Sequence, residues 1–511
     1  MVQTLIINPP FLEPHRPPIA PAILAEIARL KGHVATVLDI NIDLYRHLGS
    51  DQFLHYQTEY VFGTDKQCEK SLRDFIYSSL DAADLGSKDW VLISCFSAWE
   101  YAITVLICEY VRPLVKGKVV IGGPGVENKG RSILDNGLCD YWIRGEGELA
   151  LDALFEGNDK YPGINGTSPV QIDDLDPLPL PNWDYFDFTK YDWLLDSPDV
   201  FVYGSRGCIR HCSFCDVEHY WPKFRWRTGT NIAQELIKNY ERYGVKNFYF
   251  SDSLINGNLK EFQVFLKTLI DYPFSKEFRW GGCAIVRPKK SHPAELYDMM
   301  AQAGKTFWAV GIETGVDRIR IDMQKKFTNE DIDWHLEQSQ RIGLQNMFLM
   351  ISSWYDETLE EHEDYLKIFP RWQNFAVDGT IMGITINPPL IMLPNAPVHS
   401  MVEHQQIFLE TGVKDNLREL AWVNPNMPDL TFHERYRRTS ALVKEALKYN
   451  WPLHDKTSKL NEIKTALTTY REKFNTDSFS AGGRESLRSV DMIHTRPIIP
   501  IIKNIPDSNT A

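Results

Sequence analysis

Two successive series of short, β-branched apolar runs, each separated from the next by an amphipathic stretch, constrain this chain more than any other feature. In the first third the runs are LIINPP (5–10), VATVLDI (34–40), WVLISCF (90–96), KVVIGGP (118–124) and DYWIRG (140–145). Helical patterns such as AILAEIARLKGH and the segment 99–115 lie between them. Unbroken apolar runs belong to strands buried on both faces, and strands alternating with helices join in parallel through crossovers. The fold class expected is therefore α/β, with a doubly wound, Rossmann-like parallel sheet over residues 1–157. Such sheets bind ligands outside the carboxyl ends of their strands. This chain places Ser94 and Ser97, the pair Gly122 and Gly123, and RGEGE (144–148) at those ends.

Residues 158–198 are rich in Pro, Asp and Gly and follow neither period, as an interdomain linker would. The second series then begins: VFVYGSR (200–206), NFYFSDS (247–253), RWGGCAI (279–285), TFWAVGIE (306–313), QNMFLMIS (345–352) and GTIMGITIN (379–387). Six βα-type units within 199–400 suit a partial (βα)6 barrel. Residues 401–480 read as a C-terminal helical region, with HERYRRTSALVKEALKYNW and SKLNEIKTALTTYREKF. Residues 481–511, containing TRPIIPIIKNIP, read as an extended tail.

Charge bears on partners. The chain has 55 basic and 68 acidic residues, a formal net charge of −13, which argues against a general phosphate-backbone binder. No nucleic-acid partner is expected. No apolar run approaches the roughly 20 residues that span a bilayer. The opening MVQTLIINPPFLEPHRPP lacks the features of a signal peptide. A cytoplasmic protein with no membrane partner is the expectation. Eight cysteines in 511 residues are no disulfide framework. Cys68, Cys95, Cys108, Cys139 and Cys283 stand singly among apolar residues and read as buried small hydrophobes.

The other three are gathered in GSRGCIRHCSFC, where Cys208, Cys212 and Cys215 follow the first strand of the second series. Structural zinc usually takes four ligands. Spacing alone leaves a Cys3His site open, with His211 or His219 as the fourth ligand, although ligation by adjacent His211 and Cys212 would be cramped. An iron–sulfur cubane fits better. Three thiolates hold three of its irons and leave the fourth open to a small molecule.

The spacing C-x3-C-x2-C, with Phe214 before the last cysteine, resembles the radical S-adenosylmethionine (SAM) superfamily. The similarity extends through FRWRTGTNIAQELIKNYERYGVKNFYFSDS and VGIETGVDRIRIDMQKKFTNEDI. The resemblance implies a [4Fe-4S] cluster on Cys208, Cys212 and Cys215 whose open iron chelates SAM, and reductive cleavage of SAM to methionine and a 5′-deoxyadenosyl radical. It implies that Glu313 meets the ribose or amino group of SAM, that Asp252 and Ser253 meet its methionine part, and that Arg287 pairs with its carboxylate. Two of these also have a plainer reading, Glu313 as a salt bridge at the barrel mouth and Arg287 as a solvated loop residue. The fifth strand departs from the family pattern, reading SSWYDET (352–358) where a Gly-rich turn is usual.

A doubly wound domain ahead of such a barrel, with NPP near its start, GGPG and RGEGE, resembles the subgroup with an N-terminal cobalamin-binding domain. In that subgroup Ser94 and Ser97 would face the nucleotide tail of cobalamin. Gly122 and Gly123 would let the backbone approach it closely. The D-x-H-x-x-G loop that supplies a lower axial histidine in many cobalamin enzymes is missing. DLYRHLG (43–49) has the wrong spacing, and His15 is no closer. The resemblance thus implies a cobalamin-dependent C-methyltransferase acting on a small molecule and fed by a reducing donor such as flavodoxin or ferredoxin. Two other functions stay open: a SAM-only radical enzyme with a vestigial first domain, and a non-catalytic iron–sulfur electron carrier or redox sensor.

Overall fold

The computed structural model describes residues 1–453 apart from 63–65, 98–99, 194–196, 388, 394, 405–407 and 410–421. The expected helix at 458–474 and the extended tail lie outside the described residues. The chain divides into two compact units, Met1–Phe201 and Val202–Ala511.

In the first unit the strands are β1 (Gln3–Asn8), β2 (Val34–Asp39), β3 (Trp90–Ser94), β4 (Lys118–Gly122) and β5 (Tyr141–Ile143). They form one sheet in the order β2-β1-β3-β4-β5, every pair parallel. Ile7, Val91, Ile93, Val119 and Ile121 bury one face against the helices at Tyr101–Val111 and Lys66–Asp81, through Ile103, Ile107, Leu72 and Ile76. The Ala-rich helix Ile19–Leu30 buries Ala22, Ala25 and Ala28. The segment 158–198 carries short helical turns and two buried aromatics, Trp183 and Tyr191. Tyr191 donates to Asp39 Oδ2 at 2.7 Å, and Lys190 pairs with Asp43 at 2.7 Å.

The second unit is a partial (βα)6 barrel. Its strands are β6 (Asp199–Val202), which runs across the boundary, a short antiparallel hairpin of β7 (Ser205–Arg206) with β8 (Arg225–Trp226), then β9 (Asn247–Phe250), β10 (Arg279–Ala284), β11 (Lys305–Glu313), β12 (Gln345–Ile351) and β13 (Ile381–Asn387). The six-stranded sheet runs β13-β12-β11-β10-β9-β6. From β9 to β13 each strand pairs in parallel with its sequence neighbour. The intervening helices start and stop where local chemistry dictates. Thr328 and Asp331 form a capping box on the helix Asn329–Ile342, and Gly343 ends that helix in the left-handed region. Beyond the barrel, the helix Phe432–Lys448 is capped by Thr431. Among the described residues no helix is long and apolar enough to cross a membrane.

Candidate functional site

The cysteine loop is fastened at both ends. Its start is held by Asp252, 4% exposed, which accepts the Gly204 N–H at 2.8 Å and the Ser205 hydroxyl at 2.5 Å. The return strand is held by Arg227, fully buried, whose backbone N–H donates to Gly204 O at 2.8 Å. Its guanidinium binds Tyr203 O at 2.7 Å and also pairs with buried Glu235. Between these anchors Cys208, Cys212 and Cys215 are all half-buried. The Arg210 N–H reaches Cys208 Sγ at 3.4 Å, and the Val217 N–H donates to the Cys215 sulfur. Burial pushes the Cys215 thiol up to about 12 and raises that of Cys212, so both stay protonated until a metal displaces the proton. Among the described residues no three His, Cys, Asp or Glu side chains converge as tightly as ligands of one ion do. Thiolates that cap separate irons of a cubane stand further apart than ligands on a single ion.

Facing the loop is an ion pair whose cation, Lys325, sequence reasoning missed. Lys325 Nζ lies 2.6 Å from Glu313 Oε1, both side chains less than 10% exposed. The same ammonium sits 5.3 Å from the centre of the Phe214 ring, which packs edge-on against Trp354. Burial opposes the Lys325 charge, but the carboxylate of Glu313 beside it raises its pKa. Glu313 adopts a left-handed backbone, φ 61°, at a register shift in β11. A Cβ on Gly311 would fall 2.2 Å from Glu313 Oε1 and 2.9 Å from Lys325 Nζ, so glycine makes room for the pair. The expected salt bridge at the barrel mouth is present, with Lys325 as its partner.

Other expected residues fall close by. Ser253 is half-buried, next to Asp252. Arg287 lies on backbone carbonyls, donating to Asn256 O at 2.7 Å and Gly257 O at 2.8 Å, and burial lowers its pKa to about 10. Of the five single cysteines four are buried, but Cys283, on β10, is half-buried. Its thiol, pushed up to about 11 by burial, feels the charges of Asp252, Lys325, Glu313 and Cys208. It therefore belongs to the surroundings of the cysteine loop.

In the first unit the expected ligand residues gather at the ends of β3 and β4. Ser94 is buried, and the Ser97 hydroxyl bonds to the carboxylate of Glu100. Gly123 has φ 101°, and a Cβ there would lie 2.3 Å from Cys95 O. The two loops thus meet backbone to backbone.

Residues 202–369 match the model of the radical SAM superfamily. Cytidylyl-2-hydroxyethylphosphonate methyltransferase from Streptomyces wedmorensis is 23% identical over 370 residues, 62% of this chain and 65% of that protein. Anaerobic magnesium-protoporphyrin IX monomethyl ester cyclase from Synechocystis sp. is 29% identical over 268 residues, 49% of this chain and 51% of that protein. The chain spans less than two thirds of the length of either relative. Among solved structures, the radical SAM methyltransferase TsrM from Kitasatospora setae, with cobalamin and a [4Fe-4S] cluster bound, superposes with a TM-score of 0.64 at 16% identity, covering 96% of this chain and 98% of its own. The cobalamin-dependent radical SAM enzyme OxsB, with aqua-cobalamin bound, gives 0.60 at 14% identity over 92% and 71%. At such identities these likenesses concern the fold. The match to the radical SAM superfamily thus covers residues 202–369, and the fold of the chain is the one it shares with TsrM and OxsB.

Proposed function

We propose that this protein is a cobalamin-dependent radical SAM enzyme that methylates an unactivated carbon of a small molecule or natural-product precursor. The observation that carries this reading is the gathering of three thiols on one doubly anchored loop after the first strand of the barrel. When bound, the [4Fe-4S] cluster supplies the electron that divides SAM into methionine and a 5′-deoxyadenosyl radical, and cobalamin supplies the methyl group.

In this reading Cys208, Cys212 and Cys215 hold three irons, and Phe214 with Lys325 closes one side of their loop. Glu313, fixed by Lys325, presents its carboxylate to the ribose or amino group of SAM. Asp252, Ser253 and Arg287 keep the barrel-mouth loops in register around its methionine part. Residues 1–157 form the cobalamin domain, where Ser94, Ser97, Gly122 and Gly123 would line the cofactor, and 199–400 form the barrel. The electron comes from a reducing donor such as flavodoxin or ferredoxin. The folds of TsrM and OxsB favour cobalamin use over a SAM-only reaction, and the similarity to a methyltransferase favours methyl transfer as the outcome.

Anaerobically reconstituted protein tests this. It is expected to carry iron and sulfide, to retain hydroxocobalamin through gel filtration, and to form 5′-deoxyadenosine from SAM after reduction with dithionite. Cys212→Ala is expected to lower that product to background. Product formation without retained cobalamin would select the SAM-only enzyme, and a reducible cluster without product would select the electron carrier. Tetrahedral zinc in place of iron and sulfide would overturn the reading.

A further inference from the structure

The segment that carries Lys325 is bonded directly to the cysteine loop. Ser213, between Cys212 and Phe214, is fully buried. Its N–H donates to Met323 O at 3.2 Å and its hydroxyl to Asp322 O at 3.1 Å. The Asp322 carboxylate is fixed in turn by the Trp354 indole N–H at 2.6 Å. Two residues on, the Lys325 N–H closes onto Arg320 O at 3.0 Å. Gln324 and Lys326 flank it with φ 59° and 58°, a conformation that side-chain-bearing residues seldom adopt. The backbone is therefore held so that this one side chain turns toward the thiols while its neighbours hold the turn.

The ion pair it makes there has a direction. The Lys325 ammonium, 2.6 Å from Glu313 Oε1, lies 5.3 Å from the centre of the Phe214 ring, which stands between Cys212 and Cys215 in the loop. Burial raises the Cys212 thiol, and the strongest charge acting against that is Lys325. Glu313 works the other way and more weakly, and Arg210, only two residues from Cys212, is weaker still. The pair thus presents its positive end to the thiols. A brace for the loop would serve equally well in either direction.

Charges fixed in a buried site act at longer range than charges in water. Reduction of a cluster on these thiolates adds one electron from the donor to a group that is already negative, with no bond formed or broken. A fixed ammonium beside it lowers the cost of that electron.

We propose that Lys325 sets the reduction potential of the cluster held by Cys208, Cys212 and Cys215, its ammonium raising the potential and Glu313 holding that rise in check. This rests on the cluster reading above. The test is a redox titration of full-length, anaerobically reconstituted protein without SAM, at pH 7 and matched iron and sulfide content. The electron paramagnetic resonance signal of the reduced cluster gives the midpoint. An ammonium beside three thiolates stays charged at that pH. Glu313→Gln leaves it unopposed and is expected to favour reduction about tenfold, a rise of about 59 mV for one electron. Lys325→Met combined with Glu313→Gln removes both charges and leaves no buried carboxylate unpaired. It is expected to disfavour reduction about threefold relative to the wild type, because opposed charges leave together. Shifts of opposite sign are the signature of charge, since a lost brace would move both variants the same way. A midpoint that does not rise in E313Q, or does not fall in the double variant, would overturn the role of Lys325. Wild-type protein that takes up zinc in place of iron and sulfide would instead overturn the reading on which it rests.

Discussion

Replacing Asp252 with Asn separates the titration of this residue from its bonding. The carboxyl is 4% exposed and holds the start of the cysteine loop through Gly204 and Ser205. Burial pushes its pKa from 3.8 up to about 7, and the bonds from Ser205 and Gly204 and the charge of Arg227 offset this only in part. Between those two values the folded chain keeps a proton that the unfolded chain has released. The associated stability is fully present below pH 3.8 and is lost as pH rises through 7. At pH 5.5, roughly 1.5 units below the folded value, the proton contributes about 2 kcal/mol at about 1.4 kcal/mol per unit, and by pH 8.5 nothing remains. Asn keeps an oxygen for the Gly204 N–H and offers Ser205 an amide N–H, but it does not titrate. The stability of the wild type relative to Asp252→Asn is therefore expected to fall by about 2 kcal/mol between pH 5.5 and 8.5. Anaerobic urea unfolding at matched iron content, followed by tryptophan emission, measures the difference. Trp280, fully buried and near Phe250 and Phe265, reports on this unit. A difference that stays flat, or that grows with pH, would refute the reasoning.

Two further substitutions probe the two units separately. Lys325→Met leaves Glu313 buried without its counter-charge, which should cost about 3–5 kcal/mol in denaturant unfolding and lower the iron bound per chain, whereas Glu313→Gln added to it should restore most of the stability. An unchanged unfolding midpoint in the single variant would show that the pair does not hold this region. Gly125→Val drives a side chain into Ser97 O and the Cys95 sulfur, so hydroxocobalamin should no longer be retained through gel filtration while 5′-deoxyadenosine formation persists. Retention at the wild-type level would show that the apposed turns are not needed for binding.

The strands were legible because continuous β-branched runs have no reading other than a sheet covered on both faces, and Cys208, Cys212 and Cys215 because three thiols at that spacing have few uses. What stayed hidden depends on contacts between loops. Lys325 reads as one of two adjacent lysines in an ordinary loop. It turns inward because Gln324 and Lys326, on either side, adopt left-handed conformations, and because Gly311 leaves space beside Glu313. Cys283 was read as core because RWGGCAI is apolar at nearly every position, and such a run cannot say which face looks into the barrel. The bonds from Arg287 Nε and Nη2 to the carbonyls of Asn256 and Gly257 were not legible either, because no periodicity encodes a loop carbonyl. Residues 158–198 looked like a linker because helical turns of three residues carry no hydrophobic period, yet Trp183 and Tyr191 are buried. Phe96 is the converse case. Its place at the end of an apolar run predicts burial, and only the bonds of Glu100 and the close approach of Gly125 explain why it is exposed.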